Sequence, residues 1–200
     1  MFVTFEGLDG SGKSTQAGLL EAFLVEQGRE VVATREPGGT PLGERIRDLL
    51  LSGPKMTPWA EAALFAAARA ELAERVIRPA LERGADVICD RYLDSSLAYQ
   101  GLARGLGLER VLELNLAVVG DVLPDRTFVL LLDPTVAAVR TGVGRDRIER
   151  EGATFQAAVG DAYRELAERF PERITPLDGS LPAGQLARVV RQELALLVDV

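Results

Sequence analysis

Phe2-Val3-Thr4-Phe5-Glu6-Gly7-Leu8-Asp9-Gly10-Ser11-Gly12-Lys13-Ser14-Thr15 decides the fold of this chain. A short apolar run, Phe2 to Phe5, enters a loop with three glycines, and Lys13-Ser14-Thr15 opens an amphipathic segment. That is strand, loop, helix. Gly7 to Ser14 fits G-x-x-x-x-G-K-[ST] at every fixed position, in the context that pattern requires. Glycines let backbone N–H groups turn inward around an anion, the helix N-terminus adds partial positive charge, and Lys13 adds a full one. Gly7, Leu8, Asp9, Gly10, Ser11, Gly12, Lys13, Ser14 and Thr15 are therefore expected to hold a nucleoside triphosphate's phosphates, with the Ser14 hydroxyl placed to ligate Mg²⁺.

The rest of the chain extends this unit. Strands are expected at Val31 to Ala33, Asp86 to Asp90, Thr127 to Leu132 and Ile174 to Leu177. Between them, helical spacing marks the segment after Lys13, then Gly43 to Leu51, Pro58 to Arg83, a pair over Leu97 to Leu102 and Glu109 to Val119, Val136 to Arg140, Ile148 to Arg169 and Pro182 to Leu197. Alternation of this kind predicts an α/β fold, a P-loop NTPase-type doubly wound parallel sheet of about five strands flanked by helices, with ligands at the strands' C-terminal ends. Thr141 to Asp146, which contains Gly and Arg, predicts a loop.

With 200 residues, 47% hydrophobic and 26% charged, the composition is that of one globular domain with a real core. The longest apolar runs are too short to span a bilayer, and Met1 leading straight into the first strand predicts no signal or transit segment. The single cysteine, Cys89, fits a reduced, cytoplasmic setting. A net charge of −7 disfavours a nucleic acid polymer as partner, whereas a small anionic substrate needs only local positive charge. The chain has no histidine, which removes the usual general base.

Three further clusters follow expected strand ends or lie nearby. They are Arg35-Glu36-Pro37-Gly38-Gly39-Thr40, then Phe65 with Arg69, then Asp90-Arg91-Tyr92 running to Ser95-Ser96-Leu97-Ala98-Tyr99-Gln100-Gly101. With the opening Phe-Glu-Gly-Leu-Asp-Gly and a late Asp146-Arg147-Ile148-Glu149, the set closely resembles the bacterial thymidylate kinases over most of the chain. The D-R-Y-x-x-S-S-x-A-Y-Q-G string is its most specific part.

The resemblance implies ATP-dependent phosphorylation of dTMP to dTDP by a homodimer. Phe65 would stack on the thymine, Arg69 would donate to a thymine carbonyl, and Gln100 with Ser96 would cover the rest of the base edge, Tyr99 lying in the same string. Arg91 would clamp the monophosphate with paired hydrogen bonds, supported by Arg47 and Arg35. Asp9 and Glu36 resemble acids near the sugar 3′-hydroxyl and the transferring group. Asp90 either holds Mg²⁺ through water or caps the adjoining turn.

An anionic phosphate oxygen is already a nucleophile, so the missing histidine fits this chemistry. Gly10 stands where one subgroup of the family carries arginine, which shifts the catalytic arginine to a short lid, about 141–147. Arg140, Arg145 and Arg147 remain there, although Ala138, Thr141 and Gly142 thin the usual basic residues; Arg145 or Arg140 is expected to reach the phosphates. Ala68 replaces an aspartate common before the base-binding arginine, which puts the orientation of Arg69 in question. The apolar helices around Ala60 to Leu72 and Leu112 to Val119 are the expected dimer surface.

Other classes fit less well. A P-loop kinase for another deoxynucleotide is opposed by Phe65, Arg69 and Gln100, and a GTPase switch needs an N-K-x-D element. The only lysines, Lys13 and Lys55, are not preceded by asparagine. A non-catalytic nucleotide-binding protein is the remaining alternative.

Overall fold

The structure is a computed structural model that describes residues 1–141 and 146–198. Five strands, β1 (Phe2–Gly7), β2 (Val31–Arg35), β3 (Asp86–Asp90), β4 (Arg126–Leu131) and β5 (Ile174–Asp178), form one sheet in the order β2-β3-β1-β4-β5. Every pairing is parallel, with Phe5 opposite Asp90 and Gly7 opposite Leu130. The doubly wound expectation is met. Because β1 lies between β3 and β4, the loops leaving β1 and β3 diverge at the sheet's C-terminal edge and open the crevice in which this fold binds ligands.

The period-2 alternation of a strand divides β1 between two cores. Val3 and Phe5 point with Ile88, Phe128 and Leu130 toward α1 (Lys13–Glu26) and the last helix. Phe2 points with Val87, Cys89 and Val129 to the opposite face. That face is covered by α3 (Pro58–Leu72), α6 (Leu108–Val119) and α8 (Ala153–Arg169). Glu6 shares it, so a carboxylate is carried into an apolar layer and must find partners there.

Helix starts follow local chemistry. Thr40 and Thr57 accept from the backbone N–H three residues on and precede Pro41 and Pro58, so α2 (Pro41–Ser52) and α3 each begin with a side-chain cap and an N1 proline. The long helix expected over Pro58 to Arg83 is broken by one π-helical turn, Ala73–Ile77, before α4 (Arg78–Glu82). Pro79 has no N–H for a carbonyl one turn back, and the helix widens just ahead of it. After α5 (Leu93–Ser96), the expected helix at Leu97 is likewise a π-helical turn, Leu97–Ala103.

A single helix over Ile148 to Arg169 is not what forms. A 3-10 turn, Glu149–Glu151, ends at Gly152 with φ 94°, and α8 starts afresh. α7 (Pro134–Thr141) precedes that turn, directly after β4, and α9 (Ala183–Val198) follows β5. Of the expected lid, residues 142–145, and with them Gly142 and Arg145, lie outside the described residues. No helix among the described residues is long and apolar enough to cross a membrane.

Candidate active site

A cleft of about 480 Å³ opens at the C-terminal edge of β1, β2 and β3. One end is the glycine loop. Gly10 and Gly12 sit at φ 80° and 101°, where a side chain is strained, and the second leads directly into α1. The first N–H groups of α1 have no intrahelical partner and are turned toward the cleft. Lys13 lies folded along the loop, its Nζ donating to the Leu8 carbonyl at 2.8 Å and standing 3.7 Å from Asp9 Oδ1. Burial lowers its pKa, the like charge of Arg91 adds to that, and it falls to about 8. Gly10, Gly12, Ser14 and Thr15 line the cleft, whereas Gly7, Leu8 and Ser11 form the back of the loop.

The end of β3 supplies the second cation. Arg91 has φ 72°, a conformation rarely held by a non-glycine residue. The kink is fastened from below: Glu6 Oε1 accepts from the N–H groups of Tyr92 (2.7 Å) and Ser95 (3.1 Å). Glu6 Oε2 accepts from the hydroxyls of Ser95 (2.6 Å) and Tyr163 (2.8 Å). Those two hydroxyls in turn accept from Arg91 Nη1, at 3.2 and 3.3 Å. Arg91 Nη2 donates to Asp9 Oδ1 at 2.6 Å. Burial would raise Asp9, but Arg91 and then Lys13 outweigh it and bring its carboxyl down to about 2. Burial raises Glu6, and Asp94 adds to the effect.

Sequence reasoning quoted Glu6 and Ser95 within motifs but gave them no role, and it did not single out Tyr163. The available signal was a charge inside an apolar strand, which demands a buried partner, but Tyr163 lies 157 positions away in the chain.

The remaining expected residues fall into three groups. Glu36, Arg47, Phe65, Ser96, Tyr99 and Gln100 line the cleft together with Arg91. Arg35 lines it as well, but its guanidinium is held by both oxygens of Glu44, at 2.9 and 3.0 Å; Arg47 Nη1 donates to the Pro37 carbonyl at 2.8 Å. Ser14 and Asp90 are hydrogen-bonded to each other at the foot of the cleft.

Arg69 is placed differently from the expectation. It is wholly buried behind the cleft wall, and all five of its N–H groups are taken. Nε and Nη2 meet Glu36 Oε2, Nη1 meets Ser96 Oγ and Asn115 Oδ1, and Nη2 also reaches the Tyr92 carbonyl. It has no donor left for a base carbonyl and acts on the cleft through Ser96 and Glu36. Arg140 lines the cleft but donates through Nη1 to the Gly179 carbonyl at 3.1 Å, toward the β5–α9 loop. Arg147 is turned away, its Nη2 on Glu61 at 2.7 Å.

Two buried acceptors or donors in this wall lack a hydrogen-bond partner among the described residues: Glu36 Oε1 and the Tyr99 hydroxyl. Burial raises Glu36 to about 7 in spite of Arg69. Two such leftover groups in one cleft wall are what a polar ligand completes.

A parallel sheet, a glycine loop opening a helix, and a second cation at the end of the neighbouring strand define a protein of the P-loop NTPase fold class. The thymidylate kinase family model matches residues 5–190. The thymidylate kinase of Symbiobacterium thermophilum is 49% identical over 195 residues, covering 96% of this chain and 91% of that protein. The thymidylate kinase of Leifsonia xyli is 50% identical over 198 residues, covering 97% and 94%. The crystal structure of thymidylate kinase from Ehrlichia chaffeensis superposes with a TM-score of 0.76 at 37% identity, covering 88% of this chain and 91% of that one. The chain belongs to the thymidylate kinase family.

Proposed function

We propose that this chain transfers the γ-phosphoryl group of ATP to dTMP, giving dTDP and ADP. The observation that carries the reading is the pairing of two cationic sites in one cleft, Lys13 with the glycine loop and Arg91 at the end of β3, both within reach of Asp9 Oδ1. The loop amides and Lys13 would hold the donor's outer phosphates, and Arg91, with Arg47 beside it, would hold the monophosphate. An oxygen of that monophosphate attacks the γ-phosphorus as the bond to the β-phosphate oxygen breaks, so no proton need be removed from the nucleophile. Phe65 would stack under the base, with Ser96 and Gln100 at its edge; Glu36 Oε1 and Tyr99 would meet the sugar.

The Ser14 hydroxyl and the Asp90 carboxylate are adjacent hard oxygen donors and fit Mg²⁺, which would supply neutralisation of phosphate charge when bound. Arg140 and Arg145 are the proposed lid arginines of a single domain whose lid spans about 141–147. Arg140 lines the cleft with its guanidinium on the Gly179 carbonyl, and either it or Arg145 would reach the phosphates.

A homodimer is supported by exposed Leu42 and Leu49 of α2, Trp59 of α3 and Leu116 of α6 on helices packed side by side. Light scattering checks it. We also propose a reduced, cytoplasmic setting, supported by the wholly buried Cys89. ADP release measured with ATP and each nucleoside monophosphate in turn tests the function. Turnover with dTMP well above dCMP, dGMP and dAMP is expected, and equal turnover with all of them overturns it. Unchanged turnover in both Arg145→Ala and Arg140→Ala would remove the lid-arginine assignment.

A further inference from the structure

Glu61, on α3, takes no part in the site as described so far, yet it is tied to the wall on which the base would lie. Its Oε1 accepts from Gln100 Nε2 at 2.9 Å and from Arg104 Nε at 2.6 Å. Its Oε2 accepts from Arg104 Nη2 at 3.0 Å and Arg147 Nη2 at 2.7 Å. Both arginines are themselves anchored, Arg104 to Glu151 at 2.9 Å and Arg147 to the Leu50 carbonyl at 2.8 Å. The carboxylate is thus held from two sides and cannot swing away.

Burial works to raise the pKa of Glu61, but hydrogen bonds from Arg104, Gln100 and Arg147 outweigh it and keep the carboxyl below its ordinary range. It is ionised at neutral pH and can only accept. A side-chain amide can meet such a group only through its NH₂ end. The carbonyl end of the Gln100 amide is then what the side chain offers to the cleft it lines.

Ser96 has the opposite polarity. Its Oγ accepts from Arg69 Nη1 at 2.9 Å, so its hydrogen remains to be donated. An acceptor at Gln100 with a donor at Ser96 complements an imide edge, a ring N–H beside a carbonyl. Cytosine presents the reverse, a bare ring nitrogen beside an amino group.

We propose that Glu61 is a positioning residue for base specificity: by holding the Gln100 amide nitrogen it turns the carbonyl toward the base and selects imide pyrimidines, thymine and uracil, over cytosine. The inference rests on the reading of the cleft as the dTMP site.

Steady-state kinetics with dTMP and dCMP on the unaltered protein, Glu61→Gln and Gln100→Met test it. Glutamine at 61 keeps the shape but can offer either end of its own amide, so Gln100 is free to flip. The dTMP:dCMP preference in kcat/KM is expected to fall at least about tenfold in Glu61→Gln, through KM, with kcat for dTMP nearly unchanged. Gln100→Met is expected to lose the preference as well. Equal losses on both substrates in Glu61→Gln would mean a merely structural role and overturn the proposal. An unaltered protein that phosphorylates neither substrate would instead overturn the reading of the site. Should Glu61→Gln fail to fold, hydrogen exchange of the Gln100 side-chain amide in the unaltered protein decides. Protons protected before any nucleotide is added support the proposal, and protons that become protected only with dTMP overturn it.

Discussion

Arg91 Nη2 lies 2.6 Å from Asp9 Oδ1, so the loop that ends β1 and the loop that ends β3 are joined by one charge-assisted hydrogen bond across the middle of the cleft. Asp9 also stands beside Lys13, which makes it the shared counter-ion of both cationic sites while neither ligand is bound. Incoming phosphates would take over that task at each end.

Arg91 is held by its fork: one nitrogen on Asp9, the other on the Ser95 and Tyr163 hydroxyls. A lysine can satisfy one of these directions but not both. Arg91→Lys is expected to lower kcat/KM for dTMP by about 30- to 150-fold, the equivalent of about 2–3 kcal/mol of charge-assisted hydrogen bonding, while KM for ATP stays within about twofold. Initial rates at varied dTMP and fixed ATP check it, and a loss confined to ATP would contradict the assignment.

Glu36 gives stability a pH dependence of defined sign. Its pKa, raised by burial to about 7 against an ordinary 4.5, means that the folded chain holds a proton that the unfolded chain has lost between those values. Stability therefore falls as pH rises through this window, by about 1–3 kcal/mol, and levels off above it. In Glu36→Gln that part of the slope is expected to vanish. Urea unfolding at pH 5, 6, 7 and 8 compares the two proteins; parallel slopes would show that Glu36 is not the source.

Gly10 is confined from outside the loop as well as by its φ of 80°. A Cβ there would lie 2.6 Å from the Ala137 carbonyl and 3.2 Å from side-chain atoms of Arg140 and Thr141 on α7. Gly10→Ala is expected to destabilise the fold by about 1–3 kcal/mol and to weaken ATP binding, since α7 must shift or the loop must open. Gly10→Arg, which restores the residue found in one subgroup, is expected to be worse, not better. Thermal melts with and without ATP read both effects.

Lys13, depressed to about 8 by burial and by Arg91, is partly neutral above that pH before any ligand is bound. A bound triphosphate favours the charged form and draws its pKa back up. ATP binding at pH 8.5–9 is therefore expected to take up part of a proton per site, and at pH 6.5 none from this group. Calorimetry in two buffers of different ionisation enthalpy measures the uptake. Lys13→Arg, which stays charged throughout, is expected to abolish it.

Much of the fold was legible because its signals are local. The glycine loop, five short apolar runs and the helical stripes between them each declare themselves within a few residues, and all five strands formed where expected. Boundaries moved where one residue outweighed a pattern: Gly152 ended an apparent helix, and a π-helical turn opened ahead of Pro79. The site was legible as a set of residue types. Phe65, Gln100, Ser96 and Arg91 do meet the glycine loop in one cleft.

Arg69 marks the limit of that reading. Its place in a helical stripe beside Phe65 suggests a common orientation, but Glu36, Ser96, Asn115 and the Tyr92 carbonyl draw the guanidinium inward and use every donor it has. Glu6 with Tyr163 and Glu61 with Gln100 are likewise pairs between distant segments.

The amino-acid sequence alone determined the phosphate loop, the parallel α/β layering and the membership of the residue set, since each depends on spacing within a segment. Which way each polar group points was decided by tertiary structure. A buried donor or acceptor orients toward whatever partner the packing brings to it, and those partners come from other strands and helices.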